Sequence, residues 1–367
     1  MIDRRQFVAA TAGIATLGTW SSLAIAAPAR PLDILMLGGT GFLGPHTVEY
    51  AVSRGHNVTL FNRGRTNNDM FPDLEKLTGN RDPEVDDGLS ALMGSRRWDA
   101  VIDTSGYVPR IVGASAELLA DRVEHYLFVS TICQYADWLE GPAHGTEARP
   151  RATLEDPTTE DVRAAYCELK AYCEVAAEAA MPERVTHIRP GLIVGPRDGT
   201  DRFTYWPVRA ARGGTMLAPG KPTDLTQYID VRDLAEFMVH SVENSLFGDY
   251  NLVRPPLPFG EVLAACLDVT GADTEVVWVP ADFLAKHELE AWRDIAMWAD
   301  SDGPQVGSLT WSPNKALADG LRIRPIADTV AATLDWYRQL EPERQANMRS
   351  GIAADKEQEV LAAWRAA

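Results

Sequence analysis

The chain has 367 residues, enough for one large domain or two smaller ones around a sizeable core. Its 35 Lys and Arg stand against 52 Asp and Glu, a formal charge of −17, and no long basic run interrupts that balance. A nucleic-acid or anionic-membrane partner is therefore disfavoured, and an apolar content of 46% argues against a disordered chain.

Residues 1–27 read as a targeting segment rather than as part of the fold. Arg4-Arg5 with Phe7 precedes a mildly apolar stretch rich in Ala, Gly and Thr that ends in Ala24-Ile25-Ala26-Ala27-Pro28. This is a charged start, an apolar middle and an A-x-A type cleavage site, in the twin-arginine style that exports folded proteins. The expectation is a periplasmic protein handled by the twin-arginine export machinery and cleaved near Ala26 or Ala27. An uncleaved membrane anchor is the alternative.

The apolar run 32–37 reads as a buried parallel strand, and it breaks into Gly38-Gly39-Thr40-Gly41-Phe42-Leu43-Gly44 before a helical pattern. The spacing G-x-x-G-x-x-G between a strand and a helix suits a dinucleotide. The first glycine permits the turn, the second lets backbone approach a pyrophosphate, and the third lets helix lie close on strand. The helix start then offers free N–H groups to the phosphates.

Further strands are expected at 56–61, 99–103, 124–130 and 185–189, alternating with helices, which is the signature of a wound parallel sheet. Asn62, Arg63 and Arg65 follow the second strand, where an NAD site usually carries Asp or Glu. Their chemistry leans towards a 2′-phosphate, hence NADP before NAD. Asp82 falls where a carboxylate can sit near an adenine, and Thr104-Ser105-Gly106-Tyr107 opens from the strand 99–103 over the cofactor.

The strand 124–130 runs into Ser130 and Thr131. A helix expected from Thr158 to about Ala180 carries Tyr166 and Lys170 at i, i+4, one turn apart on one face. An ammonium beside the phenol would lower its pKa from ~10 towards working pH, and Thr131 or Ser130 would hold a substrate oxygen while Tyr166 moves the proton. Cysteines stand at 133, 167, 173 and 266 without zinc-ligand spacing, and are expected to be buried or idle thiols; no metal site is expected.

These residues, with Arg189-Pro190, Val194-Gly195-Pro196, Tyr228 to Ala235 and Asn314-Lys315-Ala316, resemble the extended short-chain dehydrogenase/reductase family, in its NAD-dependent epimerase/dehydratase branch. The resemblance covers about 32–340. It implies an α/β fold, a Rossmann-type doubly wound parallel sheet (31–195 plus about 226–245) with a smaller discontinuous substrate-binding domain (196–225 and 252–340) and a helical tail (341–367). It also implies Tyr166 as acid/base, Lys170 on the nicotinamide ribose and Thr131 as the hydroxyl partner. The family's usual serine appears as Thr131 beside Ser130, and its tyrosine-glycine as Tyr135-Ala136 followed by an insertion. Tyr107, Tyr135, Arg202, Tyr205, Trp206, Arg209 and Gln227 are the candidate substrate contacts. The expected substrate is a carbohydrate-like small molecule, the expected chemistry hydride transfer in an epimerase, dehydratase or reductase, and a homodimer is conceivable. A non-catalytic binding protein, like the chloroplast RNA-binding relatives, is the rival from another class.

Overall fold

The computed structural model describes residues 28–367 apart from Pro142, so the targeting segment expected at 1–27 lies outside the described residues. Strands β1 (Asp33–Leu37), β2 (Asn57–Asn62), β3 (Glu75–Thr78), β4 (Trp98–Asp103), β5 (Val123–Val129) and β6 (Val185–Pro190) join the strand Gly248–Leu252 in one seven-stranded sheet. The order is Gly248–Leu252, β6, β5, β4, β1, β2, β3, and every pairing is parallel.

The apolar run of β1 explains its central place. Ile34 and Met36 enter one core, Leu35 and Leu37 the opposite one, and all four are fully buried. A strand buried on both faces must be apolar throughout, and each such side chain contributes roughly 1.5–3 kcal/mol relative to exposure. Helices α1 (Leu43–Ser53) and α5 (Val231–Glu243) cover the first face through Val48, Leu234 and Met238. Helices α2 (Pro109–Leu119) and α3 (Tyr166–Ala180) cover the second through Val112, Ala116 and Ala177. The chain order reverses between β1 and β4, the place where such sheets open a crevice at their carboxyl ends.

A second core stands beyond the sheet. It gathers α4 (Tyr205–Ala211), the parallel pair Gly214–Pro219 and Thr274–Val279, the helix Phe259–Thr270 and the closing helix Ala354–Ala366. Arg209 on α4 is buried and bonds Glu357 of the closing helix with Nε–O distances of 2.7 and 3.0 Å, while Glu357 also accepts the N–H of Leu217. Among the described residues no helix is long and apolar enough to cross a membrane.

Two expectations change here. Helix α3 begins at Tyr166, not at Thr158, because Asp156 and Asp161 accept nearby backbone N–H groups and hold the preceding residues in turns. The cysteines are not all idle: Cys133 and Cys167 form a disulfide with Cα atoms 5.2 Å apart, whereas Cys173 and Cys266 are free and buried.

Candidate active site

One cleft of about 860 Å³ runs from the glycine turn, past the carboxyl ends of β4 and β5, to the loop around Trp311. At its head, Gly38 has φ +110°, and a Cβ there would lie 2.7 Å from the Thr104 hydroxyl oxygen. A Cβ on Gly44 would lie 2.6 Å from the Gly39 backbone, so only glycine lets α1 start against the turn. Gly41 faces open space instead, where a bound pyrophosphate could approach the chain. Thr40, Phe42 and Leu43 line the same wall, and the Asn67 side-chain amide holds the Thr40 carbonyl at 2.9 Å. The turn, the open face above it and the start of α1 thus fit a dinucleotide.

Asn62 closes the end of β2. Its amide donates to the Gly38 carbonyl (3.1 Å) and its oxygen accepts the Gly64 N–H (2.8 Å). Arg63 and Arg65 line the cleft mouth and are solvent-exposed. Asp82 also lines the cleft, held by both terminal nitrogens of Arg110 at 2.9 and 3.0 Å. Thr104 and Ser105 lie on the wall and donate to the Leu37 carbonyl. Gly106 contributes its carbonyl to Lys170 rather than a cleft surface. Arg81, which sequence reasoning missed, braces this floor by a bidentate pair with the fully buried Asp103 (2.7 and 2.9 Å).

Tyr166, Thr131, Ser130 and Lys170 all line the middle of the cleft. Tyr166, first residue of α3, keeps 37% of its surface exposed along the cleft. Burial of its hydroxyl pushes the phenol up to about 12, Tyr107 adds to the rise, and hydrogen bonding with Thr131 and the charge of Arg202 oppose it. Thr131 caps the short turn Ile132–Gln134 by accepting the Cys133 N–H, so its hydroxyl stands beside the phenol. Ser130 lines the cleft too, but its hydroxyl is buried without a partner.

Lys170 departs from expectation. Its ammonium is buried, donates to the carbonyls of Gly106 (2.7 Å) and Val129 (2.5 Å), and lies over the Phe128 ring at 4.1 Å. Burial lowers its pKa to about 8. The lowering of the Tyr166 pKa anticipated from i, i+4 spacing is absent here, because the ammonium is held by backbone and the phenol is dominated by its own desolvation.

Of the expected substrate contacts, Tyr107, Arg202 and Gln227 line the cleft. The other four do not. Tyr205 and Trp206 point into the second core, with Trp206 edge-on to Phe259 at 4.9 Å, because α4 buries its aromatic face there. Arg209 is consumed by Glu357. Tyr135 is fully buried behind the wall: its hydroxyl donates to Asn251 and accepts from Arg189, and its ring stacks on Trp311 at 4.4 Å. Gln227 serves the wall more than a ligand, since its amide bonds the Trp311 backbone on both sides, by N–H donation (2.7 Å) and carbonyl acceptance (2.9 Å).

The far wall comes from residues that no motif announced. Trp138 from the insertion after β5, and Trp292, Leu309 and Trp311 from the loops after Lys286, line it with Ile132 and Val253. Behind it, Glu174, His187 and Asp249 bring their ligand atoms within 4.8 Å of one another. Arg189 bridges Glu174 (2.6 Å) and Asp249 (2.7 Å), so this cluster is an ion-pair network tying α3 and β6 to Gly248–Leu252.

A family model, NAD dependent epimerase/dehydratase family, matches residues 34–252. The chain is similar to the chloroplast stem-loop binding protein of 41 kDa b of Arabidopsis thaliana, 24% identical over 315 residues covering 78% of this chain and 77% of that protein. In fold it is similar to the NAD complex of UDP-glucose 4-epimerase from Thermus thermophilus, with TM-score 0.58, 21% identity, 84% of this chain and all of that one. It is similar also to the Bordetella bronchiseptica enzyme WbmG in complex with NAD and UDP, with TM-score 0.62, 18% identity, 89% of this chain and 99% of that one.

Proposed function

The chain belongs to the NAD dependent epimerase/dehydratase family, and from that premise we propose that it oxidises and reduces a carbohydrate-like secondary alcohol, with Tyr166 moving the proton. The observation that carries this reading is the convergence of Tyr166, Thr131 and Lys170 in the same cleft as the glycine turn. The nicotinamide ring, when bound, supplies the hydride chemistry. The chain's own residues bind and orient. The α1 start and glycine backbone hold the phosphates, and Lys170, with two of its three N–H donors on carbonyls, keeps one for a ribose hydroxyl. Thr131 holds the substrate oxygen, and the phenol of Tyr166 gives or takes its proton.

The NADP leaning rests on Arg63 and Arg65 and on the lack of a carboxylate at Asn62. If they meet a 2′-phosphate, replacing both by Ala weakens NADP binding by roughly 1–3 kcal/mol and leaves NAD nearly unchanged. Calorimetric titration showing equal affinities in the unmodified protein would reject this preference and leave NAD as the cofactor.

Export is part of the same proposal. The Cys133–Cys167 disulfide supports it, since disulfides persist in oxidising compartments. Where free nicotinamide cofactor is scarce, an enzyme that returns the hydride within each cycle and holds its cofactor tightly keeps working. Native mass spectrometry of protein recovered from the periplasm should show near-stoichiometric cofactor that survives gel filtration. An empty protein, active only on addition of NAD or NADP, rules out the closed cycle and favours an ordinary reductase. The binding-protein reading, favoured by the similarity to a stem-loop binding protein, has the charge of −17 and the Tyr166–Lys170 pair against it.

A further inference from the structure

The substrate end of the cleft has a chemistry of its own. Its wall is aromatic: Trp138 and Trp292 meet edge to face with centroids 6.2 Å apart, and Trp311 is braced from behind by the parallel Tyr135 ring and by Gln227. Trp311 itself is buried, with Tyr135 and Gly145 against its ring, so it backs the wall, and the partly exposed rings of Trp138 and Trp292 are the surface open to another flat face.

Charge at the same end is sparse. Among the described residues, of the Lys and Arg side chains lining the cleft, Arg63 and Arg65 stand at the end of β2, Arg81 is spent on Asp103, and Lys170 is buried over the Phe128 ring and bonded to carbonyls, which leaves Arg202 beside Tyr166. That arginine acts also on the buried Asp198, whose second carboxylate oxygen has no partner. A diphosphate brings at least two negative charges and needs several charge-assisted donors. One guanidinium set against one carboxyl group does not supply them.

We propose that this end of the cleft takes an uncharged secondary alcohol, or its ketone, attached to an aromatic ring, and does not take a nucleotide-diphosphate sugar. The proposal rests on the reading of Tyr166 as the proton-moving group and names the substrate class for that site. Either an aryl glycoside or a simple aryl carbinol provides the shared chemistry, a neutral carbinol at Tyr166 with a ring against Trp138 and Trp292.

The test is calorimetric titration of the protein, loaded with whichever of NADP and NAD it binds more tightly, with three probes: 4-nitrophenyl β-glucopyranoside, 1-phenylethanol and UDP-glucose. At least one aryl probe should bind saturably and at least tenfold more tightly than UDP-glucose, and the stronger of the two tells a glycoside from a simple carbinol. Trp138→Ala and Trp292→Ala should each weaken the aryl probe about tenfold, as expected on losing a stacked aromatic, with NAD affinity retained. Tighter binding of UDP-glucose, no binding of either aryl probe, or unchanged affinity in both tryptophan variants would each overturn the proposal. Tyr166→Phe separates the two layers of inference. It should bind the aryl probe normally yet fail to turn it over, and an active Tyr166→Phe defeats the catalytic reading while leaving the binding result standing.

Discussion

Tyr166→Phe should lower turnover ~10²–10⁴-fold while leaving NAD affinity within a few-fold of the parent. The substitution keeps the ring that lies near Tyr107, with centroids 6.3 Å apart, and removes only the hydroxyl beside Thr131. The phenol stands at about 12 because its burial outweighs Thr131 and Arg202, which fixes the direction of the pH dependence. Alcohol oxidation needs the phenolate. Its rate should therefore climb with pH, up to tenfold per unit below the phenol's working pKa, whereas ketone reduction uses the neutral phenol and stays level over that range. A bound nicotinamide cation would bring the midpoint down by favouring the phenolate. Steady-state kinetics between pH 6 and 10 check this. A flat oxidation profile, or a Phe variant with most of its activity, removes Tyr166 from the chemistry.

The first half of the fold was legible because its signals are local. The run 32–37 has no polar interruption after Asp33, and Gly38, Gly41 and Gly44 occur at the spacing the strand-turn-helix needs; the observed β1 and α1 follow within a residue or two. β3 and the strand Gly248–Leu252 escaped notice, since edge strands such as Glu75–Thr78 are partly exposed and carry charge rather than an apolar run. The substrate side was harder for a different reason. Tyr205 and Trp206 look alike whether they face a ligand or a core, and only the packing of α4 against the helix Phe259–Thr270 decides for the core. Trp138, Trp292 and Trp311 reach the cleft from irregular segments with no periodicity to read, so proximity to Tyr166 was invisible until the chain folded. The i, i+4 spacing pairs Lys170 with Tyr166, but its partners, two backbone carbonyls on other elements, leave no trace in a spacing.

The disulfide was the least legible feature and has the second large consequence. Cys133 and Cys167 are 34 residues apart, a separation that carries no local signature, yet each adjoins a residue of the proposed site: Cys133 lies two residues after Thr131, and Cys167 directly after Tyr166. Cys133 also gives its N–H to the Thr131 hydroxyl, so the bond joins the loop that aims one hydroxyl to the helix that aims the other. It closes the whole insertion that carries Trp138. Constraining a loop of this length in the unfolded chain is worth roughly 4 kcal/mol, or about 5 °C in Tm for a domain of this size. Cys133→Ser/Cys167→Ser should show that loss in thermal unfolding. It should also lower kcat more than it raises KM for NAD, because the glycine turn is untouched whereas the Thr131–Tyr166 geometry is loosened, and small misplacements at reacting groups are costly. Reduction with a dithiol should reproduce both effects and reoxidation should reverse them. A variant that loses Tm but keeps kcat would show the bond to be a staple only, and one that loses neither would mean the two sulfurs do not join in the folded enzyme.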